Sequence, residues 1–483
     1  DDFIFEPKTV LQRCDNIPLR VQTEHIASEC IRDDAAAILI DVALAVRSVE
    51  RDAERRVRFP ETREHPVRHL HPELPDFDVA GPTPAPGVFL VAQAREGEDA
   101  RVLRTFDIAT LQFGEVVAQR PSRDIEEAII DEDLKLLATA YREDRLEYQF
   151  VDPKLAAHFR GVNSYFGNTC NVRLYDMNLA HTRFIFNVTG PKDAGAFYMY
   201  DTGKRAVEAI GDRFPWLPPE RLAGMEALKL KARDGTALSA YLSTPIKAAK
   251  GPLPMLVMPH GGPELRDKYD YDFMVQAFAA QGWFVLQPNF RGSGGLGRAF
   301  ADAGRKRWAD LMQEDVEDAV AHVVALGRAD PKRLAILGSS YGGYAALMGT
   351  VRKPDLYKAA VSIAGPSDLL TLMATVRREE GADSLSYAYW LKTIGDPRAD
   401  EALLIRGSPA RRAGEITTPV LLMHGTEDST VRPSQSKTMA DAMFAAGKGC
   451  EHVLLKGEGH TGWQDSTWTT VVTQSAKFIS KYI

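Results

Sequence analysis

Several features are scarce in this chain of 483 residues, and each scarcity excludes something. Only four cysteines occur, Cys14, Cys30, Cys170 and Cys450, far apart and never as Cys-x-x-Cys. A dithiol redox motif and a small disulfide-stapled scaffold are therefore not expected, and the thiols are read as free. No apolar run approaches the ~20 residues that a membrane helix requires, and the opening DDFIFEPK is not a signal peptide. The first residue is Asp rather than Met, which leaves a removed leader and a lost N-terminus both open. The expectation is a soluble protein, cytoplasmic, or periplasmic or secreted after leader removal. An excess of one charge is also missing: 59 Lys and Arg face 66 Asp and Glu, a formal net charge of −7. Neither nucleic acid nor an anionic membrane surface is then an expected partner; a small molecule or peptide is.

What is present is enough apolar material, 45% of residues, for a large core, and enough length for two domains. Residues 254–260, 283–289, 333–339, 359–365, 419–425 and 451–455 are short, continuous aliphatic runs, the pattern of strands buried on both faces of a parallel sheet. Amphipathic segments such as DVEDAVAHVVALG and SQSKTMADAMFAAGK lie between them, so the C-terminal half reads as a doubly wound α/β domain with ligands at the carboxyl ends of its strands. The N-terminal half has another period. GVFLVAQAREGEDARVLRTFDI, LKLLATAYREDRLEYQFVD and TRFIFNVTGPKDAGAFYMYD each read as two strands joined by a polar turn, a meandering antiparallel region. The boundary falls in the proline-rich FPWLPPERLAG, giving domains 1–222 and 223–483, the second opening with the hairpin LKLKARDGTALSAYLSTP. Residues 1–86 receive no assignment; AAAILIDVAL fits strand or helix.

The segment GSSYGGYAAL, residues 338–347, follows a buried strand and precedes a helical stretch. A serine hydroxyl is a poor nucleophile and needs both a base and an exposed position. A sharp strand-to-helix turn supplies the position but crowds the backbone, so the residues two before and two after the nucleophile must lack side chains. Ser340 meets that condition with Gly338 and Gly342; Ser339, flanked by Leu337 and Tyr341, does not. Such an elbow also aims the Tyr341 N–H where an oxyanion would form.

An acid and then a histidine should follow at the ends of later strands. LLMHGTEDSTV offers Asp428 and LLKGEGH offers His460, as orienting acid and general base. Glu427 and Glu458 are rivals for the acid, and His424, beside a glycine at a strand end, is read as structural. A second oxyanion donor is expected from the backbone near Gly261 and Gly262 in PHGGP, with a plain glycine turn as the alternative.

PHGGP, QPNFRGSGGLGRAF, DPKRLAILGSSYGGYAAL, MHGTEDSTVRPSQS and GEGH, in this order and spacing, resemble the prolyl oligopeptidase family of serine peptidases in the α/β-hydrolase clan. The acylaminoacyl-peptidase-like and dipeptidyl-peptidase-like branches are the most similar, over roughly residues 225–483. The resemblance implies an α/β-hydrolase domain with a mostly parallel sheet, capped by an N-terminal antiparallel β domain like part of a β-propeller. It implies a nucleophile at Ser340, an acid at Asp428, a base at His460, and oxyanion donors at the backbone of Tyr341 and Gly262. Short peptides are the implied substrates, and no cofactor or metal is required. Two departures stand out. About 220 residues are too few for seven blades of ~40, so the cap is incomplete, small or remodelled. Several relatives place Arg or Asn two residues beyond the acid to hold a substrate carbonyl; here that residue is Thr430, with Arg432 as a substitute.

Other patterns read as decoys. GSGGLG, residues 292–297, fits a dinucleotide fingerprint but lacks the βαβ setting. His65, His69 and His71 lie in a proline-bearing loop rather than a metal site. The sequon at Asn187 sits in a strand-like run, and Trp390 is assigned to core packing rather than to a substrate pocket. The chemistry of the motif alone admits a carboxylesterase with the same triad, and a binding protein with a spent site is the alternative from another class.

Overall fold

The structure is a computed structural model that describes residues 77–95, 97–246 and 251–483. All of these fall in one compact unit, Glu73–Ile483. The histidine-rich loop at 64–73, the ambiguous AAAILIDVAL, Cys14 and Cys30 lie outside the described residues.

Three antiparallel meanders come first. Strands β1 (Phe77–Pro82), β2 (Val88–Gln93), β3 (Val102–Asp107) and β4 (Gln112–Ala118) pair in sequence order. Strands β5 (Ile125–Ile130), β6 (Leu136–Arg142) and β7 (Leu146–Phe150) form a three-stranded sheet, and β8 (Asn171–Met177), β9 (Arg183–Gly190), β10 (Asp193–Asp201) and β11 (Ala206–Asp212) a four-stranded one. The three hairpins read from the sequence are β2–β3, β6–β7 and β9–β10. Each sheet therefore resembles a propeller blade. A helix, Pro153–Tyr165, joins the second sheet to the third and was not foreseen, although its signals are in the chain. Asp152 caps it by accepting from the Lys154 N–H, and proline stands at its first position. Its buried Phe159 and Val162 pack on Val172, Phe184, Phe186 and Val188 to make a small aromatic core.

The fourth sheet has eight strands: β12 (Gly224–Lys231), β13 (Ala237–Thr244), β14 (Leu253–Val257), β15 (Phe284–Asn289), β16 (Ala329–Ser339), β17 (Ala359–Ile363), β18 (Val420–Gly425) and β19 (Cys450–Leu455). Their order is β12-β13-β15-β14-β16-β17-β18-β19. The first two pairings are antiparallel and the rest parallel, the α/β-hydrolase arrangement. The continuous aliphatic runs have a plain cause. Successive side chains of a strand face opposite ways, and here both faces are covered. Met255, Val257, Leu334, Ile336, Val420 and Leu422 pack beneath the helices Leu311–Ala325 and Tyr341–Arg352. Leu256, Ala335, Leu337, Leu421 and Met423 face the helices Phe273–Ala279 and Asp465–Ile479 instead. Each fully buried aliphatic side chain contributes roughly 1.5–3 kcal/mol, which makes this sheet the stable frame for the loops at its carboxyl edge.

Among the described residues no helix is long and apolar enough to cross a membrane. Cys170 and Cys450 are free. Asn187 is buried within β9, so its sequon offers no accessible acceptor.

Candidate active site

The elbow forms where β16 ends and the helix Tyr341–Arg352 begins. Ser340 sits between them with φ 56° and ψ −122°, a conformation that costs a non-glycine residue about 1–3 kcal/mol. Its N–H donates to Ile363 O at 2.8 Å, which ties the strained residue to β17. The two flanking glycines are required by space. A Cβ on Gly338 would lie 2.3 Å from the carbonyl carbon and oxygen of Gly342, and one on Gly342 would lie 2.1 Å from Pro259 O. Ser339 ends the strand; Ser340 stands at the apex.

Two further loops meet this apex. The β18 loop carries Asp428 and the β19 loop carries His460. The loops are joined by backbone: Thr426 N–H donates to Leu455 O at 3.0 Å and Glu427 N–H to Glu458 O at 2.9 Å. Gly425 permits the approach, because a Cβ there would lie 2.4 Å from Glu458 O and 2.5 Å from Gly459 O. His460 Nε2 is 3.0 Å from Ser340 Oγ and its Nδ1 is 2.7 Å from Asp428 Oδ2. The hydroxyl, imidazole and carboxylate form one continuous hydrogen-bonded path.

Asp428 is fully buried. Its Oδ1 accepts the N–H groups of Thr430 and Val431, both at 2.9 Å. Burial alone would raise its pKa, but bonds from His424 and His460, the nearby His460 charge and the Val431 N–H outweigh it, holding the carboxyl below the usual range. His424 also touches this carboxylate. Its Nε2 lies 2.7 Å from Val431 O and 3.2 Å from Asp428 Oδ2, at a site with no exposure. Only its place beside Gly425 at a strand end hinted at this. The rival acids point elsewhere: Glu427 is exposed, and Glu458 accepts from Thr467 Oγ1 near the C-terminal helix.

The PHGGP loop packs against the elbow. A Cβ on Gly261 would lie 3.3 Å from Ser339 O and 3.6 Å from Ser340 Cβ. Gly262 has φ 114°, and a Cβ there would strike the N–H groups of Glu264 and Leu265 at 2.6 and 2.5 Å. Among the described residues no backbone carbonyl accepts from Tyr341 N–H or Gly262 N–H. The histidine of the same loop is stacked on Phe290 at 4.3 Å and bonded to Ser293 Oγ at 2.8 Å. Burial pushes this residue, His260, down to about 4, partly opposed by its bond to Gly261 O.

The remaining sequence candidates are placed as follows. Thr430 offers its N–H to Asp428, and Arg432 is engaged by Glu379 at 2.7 Å. In the 292–297 loop the N–H groups of Gly292, Ser293 and Gly294 donate to Phe300, Phe290 and Leu265 carbonyls, so they are not directed at a phosphate. Trp390 packs edge-on against Trp308 with centroids 6.0 Å apart, as core. Among the described residues no cluster of His, Cys, Asp and Glu is arranged to hold a metal.

The prolyl oligopeptidase family model matches residues 269–483. Dipeptidyl aminopeptidase BIII of Pseudoxanthomonas mexicana is 32% identical over 332 residues, 65% of this chain and 46% of that protein. Dipeptidyl peptidase family member 6 of Caenorhabditis elegans is 27% identical over 60% of this chain and 42% of its own length. The chain thus spans about half the length of the curated relatives it matches. Among solved structures, a puromycin-hydrolyzing peptidase of Mycobacterium tuberculosis superposes with TM-score 0.67 at 23% identity, covering 82% of this chain and 60% of the other. The acylaminoacyl peptidase of Pyrococcus horikoshii gives 0.66 at 19%, covering 84% and 63%. These two likenesses establish the shared fold. With the sheet order, the elbow and the matched segment taken together, residues 269–483 match the prolyl oligopeptidase family model and lie in a domain of α/β-hydrolase fold.

Proposed function

We propose that the chain is a serine peptidase that hydrolyses short peptides by acyl transfer, with residues 223–483 as the catalytic domain and residues 1–222 as its cap. The observation that carries the reading is the unbroken path from Ser340 Oγ through His460 to Asp428 at a strained elbow. Ser340 Oγ attacks the scissile carbonyl while His460 Nε2 takes its proton. Asp428 fixes the tautomer through Nδ1–H and stabilises the imidazolium. The oxyanion is met by the N–H groups of Tyr341 and Gly262, each such donor contributing on the order of 10²–10³ in rate. The intermediate collapses as His460 returns the proton to the leaving amine, and an acyl-Ser340 ester remains. Water then attacks that ester, its proton passing through His460 back to Ser340. The relatives named dipeptidyl aminopeptidase and dipeptidyl peptidase family member support peptides over esters as the substrate class.

The test is profiling of a mixed peptide library by mass spectrometry, with free and blocked N-termini, using wild type and Ser340→Ala. Cleavage by wild type is expected, with a loss on the order of 10⁶ in the variant and an unchanged melting temperature. A fluorophosphonate probe should label wild type at Ser340. Turnover of p-nitrophenyl esters without any turnover of aminoacyl anilides would replace the peptidase reading with an esterase. Cleavage retained in the variant would end the triad assignment.

A further inference from the structure

The loop that leaves the candidate oxyanion glycines carries one apolar side chain that the fold leaves uncovered. Leu265 is 54% exposed, in a stretch, residues 264–272, that is otherwise charged or tyrosine. An isolated exposed leucine ordinarily requires no explanation. Phe444 and Trp216 are more exposed still. Leu265 differs from them in its location. Its Cδ1 lies 3.9 Å from the point a Cβ on Gly261 would occupy, and that same point is 3.6 Å from Ser340 Cβ. The leucine and the nucleophile therefore flank one glycine.

The backbone beneath Leu265 is fixed. Its carbonyl accepts the Gly294 N–H at 3.0 Å. Gly294 is needed for that contact, since a Cβ there would lie 2.3 Å from Glu264 O. The next residue, Arg266, is largely buried and anchored on both sides of the seam: to Gly295 O at 3.0 Å, to Glu126 Oε1 at 3.4 Å and to Arg142 O at 3.3 Å. An apolar group held on an ordered backbone presents a surface whose ordering entropy has already been lost on folding, which favours binding.

Substrate geometry supplies the other half of the argument. The attacked carbonyl carbon must come within about 3–3.5 Å of Ser340 Oγ. An extended peptide advances about 3.3 Å per residue, so the side chains on either side of the scissile bond lie within roughly 7 Å of the hydroxyl. A group separated from Ser340 by a single glycine falls inside that shell. We propose that Leu265 is a specificity-determining residue: it forms an apolar wall of the subsite that receives a side chain directly flanking the scissile bond, and favours an aliphatic or aromatic side chain there. This rests on Ser340 acting as the nucleophile.

The experiment uses the full chain with Leu265→Ala and Leu265→Asp. Two substrate series are compared by kcat/KM: aminoacyl and peptidyl p-nitroanilides varied among Ala, Leu and Phe on the acyl side, and internally quenched peptides varied likewise on the leaving side. Wild type should prefer Leu or Phe over Ala in one series. Leu265→Ala should reduce that preference about tenfold, and Leu265→Asp further. The melting temperature should stay unchanged in both variants, and a small fluorophosphonate should still label both at Ser340, which separates a lost contact from a damaged fold. A preference unaltered in both series overturns the proposal. Wild-type protein that the probe fails to label at Ser340 overturns the hydrolase reading instead.

Discussion

Around Ser340 the chain is held by atoms that leave no room, whereas between the antiparallel sheets and the eight-stranded sheet it is held by polar side chains, some of them charged. At the elbow, glycine positions are specified by backbone contacts of 2.1 to 2.4 Å for an added Cβ at Gly342, Gly338 and Gly425. Across the seam the ties are long polar side chains. Arg266 reaches Glu126, Asn171 Nδ2 reaches Tyr269 O at 2.8 Å, Lys229 reaches Asp144 at 2.8 Å, and Gln276 Nε2 reaches Pro191 O at 2.8 Å. Steric fixation tolerates almost no displacement, as catalysis by positioned groups requires. Polar fixation with long side chains tolerates more, and its charged members respond to pH.

The largest effect is expected where space is exhausted. Gly342→Ala would drive a methyl group into a backbone carbonyl that no rotamer change can move. A destabilisation of at least about 4 kcal/mol is expected, or loss of the folded protein, together with loss of fluorophosphonate labelling. Gly414, with nothing within 4 Å of an added Cβ, is the control, and Gly414→Ala should melt near wild type. If Gly342→Ala melts like Gly414→Ala and still labels, the elbow is not held by sterics and the contrast collapses.

The same contrast explains what could be read from the sequence. A steric requirement leaves a residue-level mark: glycines at −2 and +2 chose Ser340 over Ser339 without coordinates. The strands of the large sheet were legible because burial on both faces makes continuous aliphatic runs, and the hairpins because polar turns interrupt alternating strands. The charge ties were not legible. Nothing in the spacing of Glu126, Arg142 and Arg266 links them: Glu126 and Arg142 meet across neighbouring strands of one three-stranded sheet, and Arg266 joins them only when that sheet docks on the eight-stranded one. His424 was half legible: its position at a strand end was evident, while its contact with Asp428 depends on how the loop folds back over seven residues to Val431 O. The helix Pro153–Tyr165 carried a capping aspartate and a proline, but it was hidden between two hairpins.

A moderate effect is expected at the seam. The side chains of Arg142 and Arg266 are 2% and 7% exposed and share the Glu126 carboxylate, itself 25% exposed. Burial would raise the Glu126 pKa, but Arg142, Arg266, Lys268 and Arg173 together hold it below its ordinary value. Glu126→Gln leaves two buried guanidinium groups without a counter-charge. The cost should be about 2 kcal/mol at neutral pH, below that of a fully buried pair because Glu126 still meets solvent. A lowered folded-state pKa gives stability that is present above the ordinary value of 4.5 and lost as pH falls through the folded value. Denaturant midpoints should therefore differ most near neutrality and converge in acid. A gap that persists in acid would assign the effect to packing rather than charge.

The smallest effect has the opposite sign and lies one residue beyond Arg266. Asp267 Oδ1 accepts from Gln287 Nε2 at 2.8 Å, while Asp267 Oδ2 and Gln287 Oε1 are both buried and, among the described residues, without a hydrogen-bond partner. Burial, and then repulsion from Asp272, push the Asp267 carboxyl well above its usual pKa, against the Gln287 bond and Lys268. With the folded-state value raised, the unfolded chain releases a proton that the native state keeps. Stability is then lost progressively as pH rises above the ordinary 3.8. Asp267→Asn removes that cost and supplies an N–H for Gln287 Oε1 while keeping an acceptor for Nε2. The variant should be more stable by about 1 kcal/mol at neutral pH, an advantage that fades toward zero as pH approaches the ordinary carboxyl value. Chemical denaturation of both proteins across pH 4 to 8 reads this directly. A variant less stable than wild type at neutral pH would mean that Asp267 is ionised in the fold and, like Glu126, contributes stability as a carboxylate.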